Sequence, residues 1–223
     1  MELFLTLISG IGWTVVYIES IRKGFKDKTY AIPLYALGLN IAWEVIYTFR
    51  DIKTAGVQGI VNLIWMLCDI VIVFTYFKYG KKEFPRNAKK FFIPFSILSF
   101  ATCLVFQLAF LFEFPEGIEA ATYSAFAQNA AMSILFVIML YRRNSTKGQS
   151  MIIAIGKWIG TLAPTLLLGV VNQFNIFVIL TGCICSVFDI LYIVLLFLKF
   201  KEEKAAKALI KEDETKLENI VQN

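Results

Sequence analysis

Residues 57–77 read VQGIVNLIWMLCDIVIVFTYF, a run in which Asp69 is the one charged side chain. A helix of about 20 residues, rising ~1.5 Å per residue, crosses the ~30 Å hydrocarbon core of a bilayer. Lys78 closes the run and Lys53 precedes it. The stretch is read as a transmembrane helix carrying a carboxylate near its middle.

Working outward, similar apolar runs occupy 3–21, 32–49, 91–112, 119–141, 151–171 and 176–198. The chain is therefore expected to be all-α, a polytopic membrane protein of seven transmembrane helices. Residues 1–200 form the seven-helix domain, and 201–223 a charged cytoplasmic tail. Charged residues make up 17% of the chain, against about 25% in soluble domains. They cluster between the runs, which leaves too little polar surface for a soluble fold. The first run lacks a basic leader and a small-residue cleavage site, so it is read as a retained helix.

Lysine and arginine set the orientation. Nineteen of the 22 fall in the 1–2, 3–4 and 5–6 loops and in the tail, all on one side of a seven-span chain. The other side keeps Arg50 and Lys53, with Glu113, Glu116 and Glu119 around its 4–5 loop. The N-terminus is expected outside and the C-terminus in the cytoplasm, in a bacterial cell membrane, or in the endoplasmic reticulum if the source is eukaryotic. The net charge of +5 resides at span ends, so it is read as orientation and not as a nucleic-acid surface. Arg22-Lys23 and Arg142-Arg143 stand 120 residues apart, as do Asp69 and Asp189. These offsets suggest two parallel three-helix repeats joined by the fourth helix, a 3+1+3 plan.

The chain has no histidine, which removes imidazole metal sites and Ser-His or Cys-His dyads. Cys68, Cys103, Cys183 and Cys185 all lie within apolar runs, without metal-ligand spacing, and are read as small core residues. Neither a metal nor another cofactor is expected.

Glu44, Asp69 and Asp189 stand inside spans, where an acid costs several kcal/mol and marks function. Each has polar or aromatic company at helical spacing: Asn40 and Tyr47 with Glu44, Asn62, Gln58 and Trp65 with Asp69, Tyr192 with Asp189. Ser9, Trp13 and Tyr17 line up on the first span. The amides and hydroxyls of these stripes also suit interhelical hydrogen bonding. Lys157 either snorkels to the cytoplasmic surface or counter-charges an acid, and snorkelling is the preferred reading. Glu19 and Glu113 are read as interfacial. A carboxylic acid in an apolar, water-poor pocket is favoured in its neutral form and donates a proton. That donation serves either a reacting substrate or a transporter's proton relay.

The order of five blocks is similar to that of the integral-membrane terpene cyclases of the paspaline-cyclase-like group, which act in fungal meroterpenoid and indole-diterpene pathways and have bacterial relatives. The blocks are GIGWTVVYIESIRKGFKDKTYAIP at 10–33, NIAWE at 40–44, RRNSTKGQS at 142–150, GKWIG at 156–160 and FDILY at 188–192. The resemblance implies that Glu44 and Asp189 are essential for cyclisation. It also implies that protonation of an epoxide or alkene on a polyprenyl chain starts a metal-independent cation–olefin cascade, an isomerase or lyase type of reaction. Asp69 is added as a third candidate catalytic acid. No DDxxD or DxDD run is present, as diphosphate-ionising or soluble protonating cyclases would need. Candidate substrate-binding residues are Trp13, Tyr17, Asn40, Trp43, Tyr47, Asn62, Trp65, Gln128, Phe188 and Tyr192, and the aromatic ones supply π-faces for cations. The expected site is a cavity between spans 2, 3 and 7. The expected partners are a lipophilic prenyl or meroterpenoid substrate, the lipid bilayer and an upstream prenyltransferase or epoxidase, with no nucleic acid. The rival reading is a small-solute transporter of the sugar-efflux or PQ-loop type, which also has seven spans in a 3+1+3 plan.

Overall fold

The computed structural model describes residues 1–51, 56–114 and 119–221, excepting the side chains of 51, 56–58, 212, 213 and 216–221. Lys53, Glu116 and the side chain of Gln58 lie outside the described residues. Among those described, seven α-helices carry the fold: α1 (Glu2–Asp27), α2 (Leu34–Asp51), α3 (Gly56–Tyr79), α4 (Phe92–Glu113), α5 (Glu119–Arg143), α6 (Met151–Leu166) and α7 (Ile176–Val221). The last runs unbroken through the stretch read as a separate tail. Two short 3-10 turns join α3 to α4, and a π-helical stretch, Leu167–Val171, extends α6.

Six of these helical segments are long and apolar enough to cross a bilayer. The exception, α2, carries Glu44, Arg50 and Asp51 within 18 residues. It packs against α3, α4 and α5, and Ala36, Leu37, Asn40, Glu44, Tyr47 and Thr48 are all buried. A helix screened by protein on most of its circumference needs no lipid-compatible face, so it tolerates charge. By contrast α1, α4 and α7 expose leucine, isoleucine, valine and phenylalanine along their length, as lipid contact requires. Cys183 shares that exposed surface and Cys68 is half-buried, so only Cys103 and Cys185 are core residues.

The packing follows the repeat. α1 pairs with α3 as α5 pairs with α7, α2 with α3 as α6 with α7, and α1 with α6 as α5 with α2. Helix α4 lies against α2 and α5. Helices α1 and α6 cross backbone to backbone. A Cβ on Gly12 would come within 3.0 Å of the Gly156 carbonyl and the Gly160 Cα. The GKWIG block is thus a small-xxx-small surface that lets two backbones approach. Ser9 Oγ donates to the Gly160 carbonyl at 2.8 Å and fastens the same crossing.

The RRNSTKGQS block forms the α5–α6 turn, with Asn144 and Gly148 at positive φ. Three carboxylates hold it. Glu203 accepts from Thr146 N at 2.7 Å and Thr146 Oγ1 at 2.6 Å, Asp27 accepts from Gly148 N at 2.8 Å, and Glu19 accepts from Ser150 Oγ at 2.7 Å. Glu19, read from sequence as interfacial, is buried and also bound by Arg22. Ser150 Oγ in turn caps α6 by accepting from Ile152 N.

Candidate active site

A cavity of about 530 Å³ opens among α1, α2, α3, α5 and the end of α6. Successive turns of α1 present Trp13 and Tyr17 to it. Helix α2 presents Asn40, Trp43, Glu44 and Tyr47, and α3 presents Asn62 and Trp65. Gln128 and Asn129 face it from α5. Pro164 and Leu167 close one wall. Pro164 has no N–H to give the preceding turn, and the backbone widens just beyond it, where Asn172 N bonds to the Leu167 carbonyl. Eight of the ten proposed substrate-binding residues therefore meet in one space.

The cavity has one polar corner, held by side chains from five helices. Tyr17 Oη donates to Glu44 Oε1 at 3.2 Å. Asn40 Nδ2 donates to Tyr17 Oη at 2.5 Å and to Asp69 Oδ2 at 2.7 Å, using both its hydrogens. Gln128 Nε2 donates to Asn40 Oδ1 at 3.4 Å, and Gln107 Nε2 from α4 donates to Gln128 Oε1 at 2.7 Å. Asn40 is the hub. Its orientation is fixed from three sides, and through Tyr17 it fixes one oxygen of Glu44. The other oxygen, Glu44 Oε2, is buried without a hydrogen-bond partner among the described residues, as is Asp69 Oδ1. No lysine or arginine is among the described residues lining the cavity.

The remaining wall is aromatic. Tyr17 stacks on Trp65 with centroids 5.9 Å apart, and Trp43 packs on Tyr47 at 4.9 Å. Two indole N–H groups are turned into the protein, Trp43 Nε1 to the Ala121 carbonyl and Trp65 Nε1 to Thr14 Oγ1.

The structure places the other candidates elsewhere. Asp69 stands behind Asn40 and is not among the lining residues. Asp189 is buried away from the cavity, and both its oxygens accept from Lys157 Nζ, at 2.8 and 3.0 Å. Ser133 Oγ takes a third bond from the same ammonium. Lys157, 1% exposed, therefore does not snorkel. It counter-charges Asp189 because the helix pairing brings α6 and α7 together at that height. Tyr192 is buried against Phe136, with its hydroxyl donating to Gln149 Oε1, and Phe188 packs against the main core. The expected cavity between spans 2, 3 and 7 is thus displaced: α7 takes no part, while α1, α5 and α6 do. Gln107 and Asn129 were not singled out from sequence. Gln107 was findable as the lone amide within the apolar run of α4.

A sequence profile of the Pyr4-like transmembrane terpene cyclases matches residues 1–203. The chain is similar to the Pyr4-family terpene cyclase mfmH of Annulohypoxylon moriforme, 34% identical over 73% of this chain and 68% of that protein. It is also similar to the terpene cyclase andB of Emericella variicolor, 30% identical over 71% and 67% respectively. The terpene cyclase pyr4 of Aspergillus fumigatus is 25% identical over 86% of this chain and 83% of its own. No solved structure matches. With 203 residues inside the profile and an acid-bearing aromatic cavity inside the bundle, this chain belongs to the Pyr4-like transmembrane terpene cyclases.

Proposed function

We propose that Glu44 is the general acid of this membrane terpene cyclase, delivering its proton to an epoxide or terminal alkene of a polyprenyl substrate folded in the cavity. The observation that carries the reading is the asymmetry of its carboxyl group. Oε1 is held by Tyr17, whereas Oε2 is buried without a partner among the described residues, on a side chain that lines the cavity. Proton transfer to an epoxide oxygen forms an O–H bond and breaks the C–O bond at the more substituted carbon. The neighbouring alkene then supplies its π pair to the cation, and each ring closure moves the charge along the chain. Loss of a proton from the last cation leaves an isomer of the substrate. The rings of Trp13, Trp43, Trp65 and Tyr47 offer the migrating charge π-faces.

Asp69 acts through Asn40 as a positioning residue, and Asp189 holds Lys157 and thereby the α6–α7 contact. The relatives reported above are named as cyclases, so they give the transporter reading no support. An upstream prenyltransferase or epoxidase supplies the lipophilic substrate, which enters from the bilayer. The basic turns face the cytoplasm, and the cavity, built from the opposite ends of the helices, opens toward the outer leaflet. The test is incubation of membranes with polyprenyl substrates, free and epoxidised, followed by product analysis. Cyclised products that vanish in Glu44→Gln support the reading; undiminished turnover in that variant overturns it.

A further inference from the structure

A second cavity, about 190 Å³, lies at the opposite end of the bundle, between the start of α2, the α3–α4 turns and the end of α5. It plays no part in the chemistry above. Leu34, Leu135 and Met139 give it an apolar wall. Tyr35, Phe95 and Ile138 also line it and are exposed on the bundle surface, so the slot opens sideways where acyl chains lie. Its mouth is cationic. Arg142 is exposed there, and Arg143 stands behind it, half-buried, with its Cζ 4.3 Å over the Tyr30 ring. Arg143 donates once, from Nη1 to the Lys147 carbonyl, while Nε and Nη2 are buried with no acceptor among the described residues. The one acid at the mouth, Glu83, already accepts from Thr29 Oγ1 at 3.1 Å and lies 3.9 Å from Lys147 Nζ. Two guanidinium groups thus share the lining with one carboxylate, which already has Lys147 near it.

Arg142 sets an exposed guanidinium at the rim of a lipid-facing slot with the half-buried Arg143 behind it, and a guanidinium binds a planar or tetrahedral oxyanion in a forked geometry. We propose that this slot is a phospholipid site, with the headgroup phosphodiester on Arg142 and Arg143 and the first carbons of one acyl chain along Ile138, Leu135 and Phe95. Charge complementarity selects the phosphate, and the sideways opening selects a bilayer lipid over a free anion. Anionic lipid at a basic membrane face adds attraction of the same sign.

The test uses purified full-length protein in detergent, with unfolding temperature and native mass spectrometry as readouts. Dioctanoyl-phosphatidylglycerol should raise the unfolding temperature of the wild type and remain bound in the gas phase. Arg142→Gln, at an exposed side chain, should weaken that binding about tenfold, the share of one charge-assisted bond pair. Ile138→Trp should fill the slot and abolish the response, and both variants should keep their lipid-free unfolding temperature and cyclase products. Dioctanoylglycerol, which lacks the phosphate, and inorganic phosphate, which lacks the chain, should each leave the wild type unshifted. An equal shift from dioctanoylglycerol would reduce the site to an apolar crevice, and one from inorganic phosphate to a simple anion site. Either result overturns the proposal, as does an unchanged lipid response in both variants.

Discussion

Asp69 on α3 and Asp189 on α7 stand 120 residues apart, both buried, and each is held by a side chain from the second helix of its own triplet. The partner of Asp69 is an amide, Asn40, and the partner of Asp189 is an ammonium, Lys157. The two halves of the repeat have thus diverged. One keeps its acid in an amide hydrogen-bonded network next to a cavity, and the other holds its acid in a closed ion pair.

Glu44→Gln keeps a carbonyl for the Tyr17 hydroxyl and similar volume, so the protein should fold with a nearly unchanged unfolding temperature. Product formation should fall by about 10²–10⁴-fold, the usual worth of a positioned general acid. Product analysis on membranes with matched protein levels checks this.

Tyr17→Phe removes the hydroxyl that fixes Glu44 Oε1 and accepts from Asn40. Stability should drop by about 1 kcal/mol, one net hydrogen bond, while turnover falls roughly tenfold through misorientation of the acid. Asn40→Leu cuts the link to Asp69 as well and should cost more in both readouts. Turnover equal to wild type in both variants would remove the network from the mechanism.

Lys157→Met leaves Asp189 buried without its counter-charge and should destabilise by about 3–5 kcal/mol, as should Asp189→Leu in reverse. The double variant, with apolar side chains on both helices, should recover most of the stability and of the cyclase activity. A double variant that folds like wild type yet makes no product would assign Asp189 to the chemistry instead.

Gly12→Val places a branched side chain where a single Cβ already meets the Gly156 carbonyl and Gly160 Cα at 3.0 Å. Overpacking of this kind costs about 1–3 kcal/mol. Because Trp13, beside it, lines the cavity, product distribution should change along with unfolding temperature.

Much of the fold is legible in the sequence because one physical quantity dominates it. Apolar length gives the spans, and the 120-residue offset gives the two three-helix repeats joined by α4. Side-chain spacing also groups Asn40, Glu44 and Tyr47 on one face of α2, and the structure keeps them together. What spacing along a helix does not contain is the neighbour that face will meet. Here α1 packs on α6 across the repeat boundary, which brings Pro164 and Leu167 to the cavity and excludes α7. The same limit hid the bond between Lys157 and Asp189, two residues whose spacing in sequence carries no signal. Their meeting follows from helix pairing alone.

The shielding of α2 bears on how the protein is made. Three charged residues in an 18-residue helix insert poorly by themselves, and Glu44 finds its shelter only once α3, α4 and α5 surround it. Those helices leave the ribosome after α2, so during synthesis an acid-bearing helix waits at the translocon for its enclosure. A nascent chain halted before α5 leaves that acid short of part of its enclosure, at the cost that an acid carries in lipid. The residue proposed as the general acid is, until assembly is complete, the one least suited to the membrane.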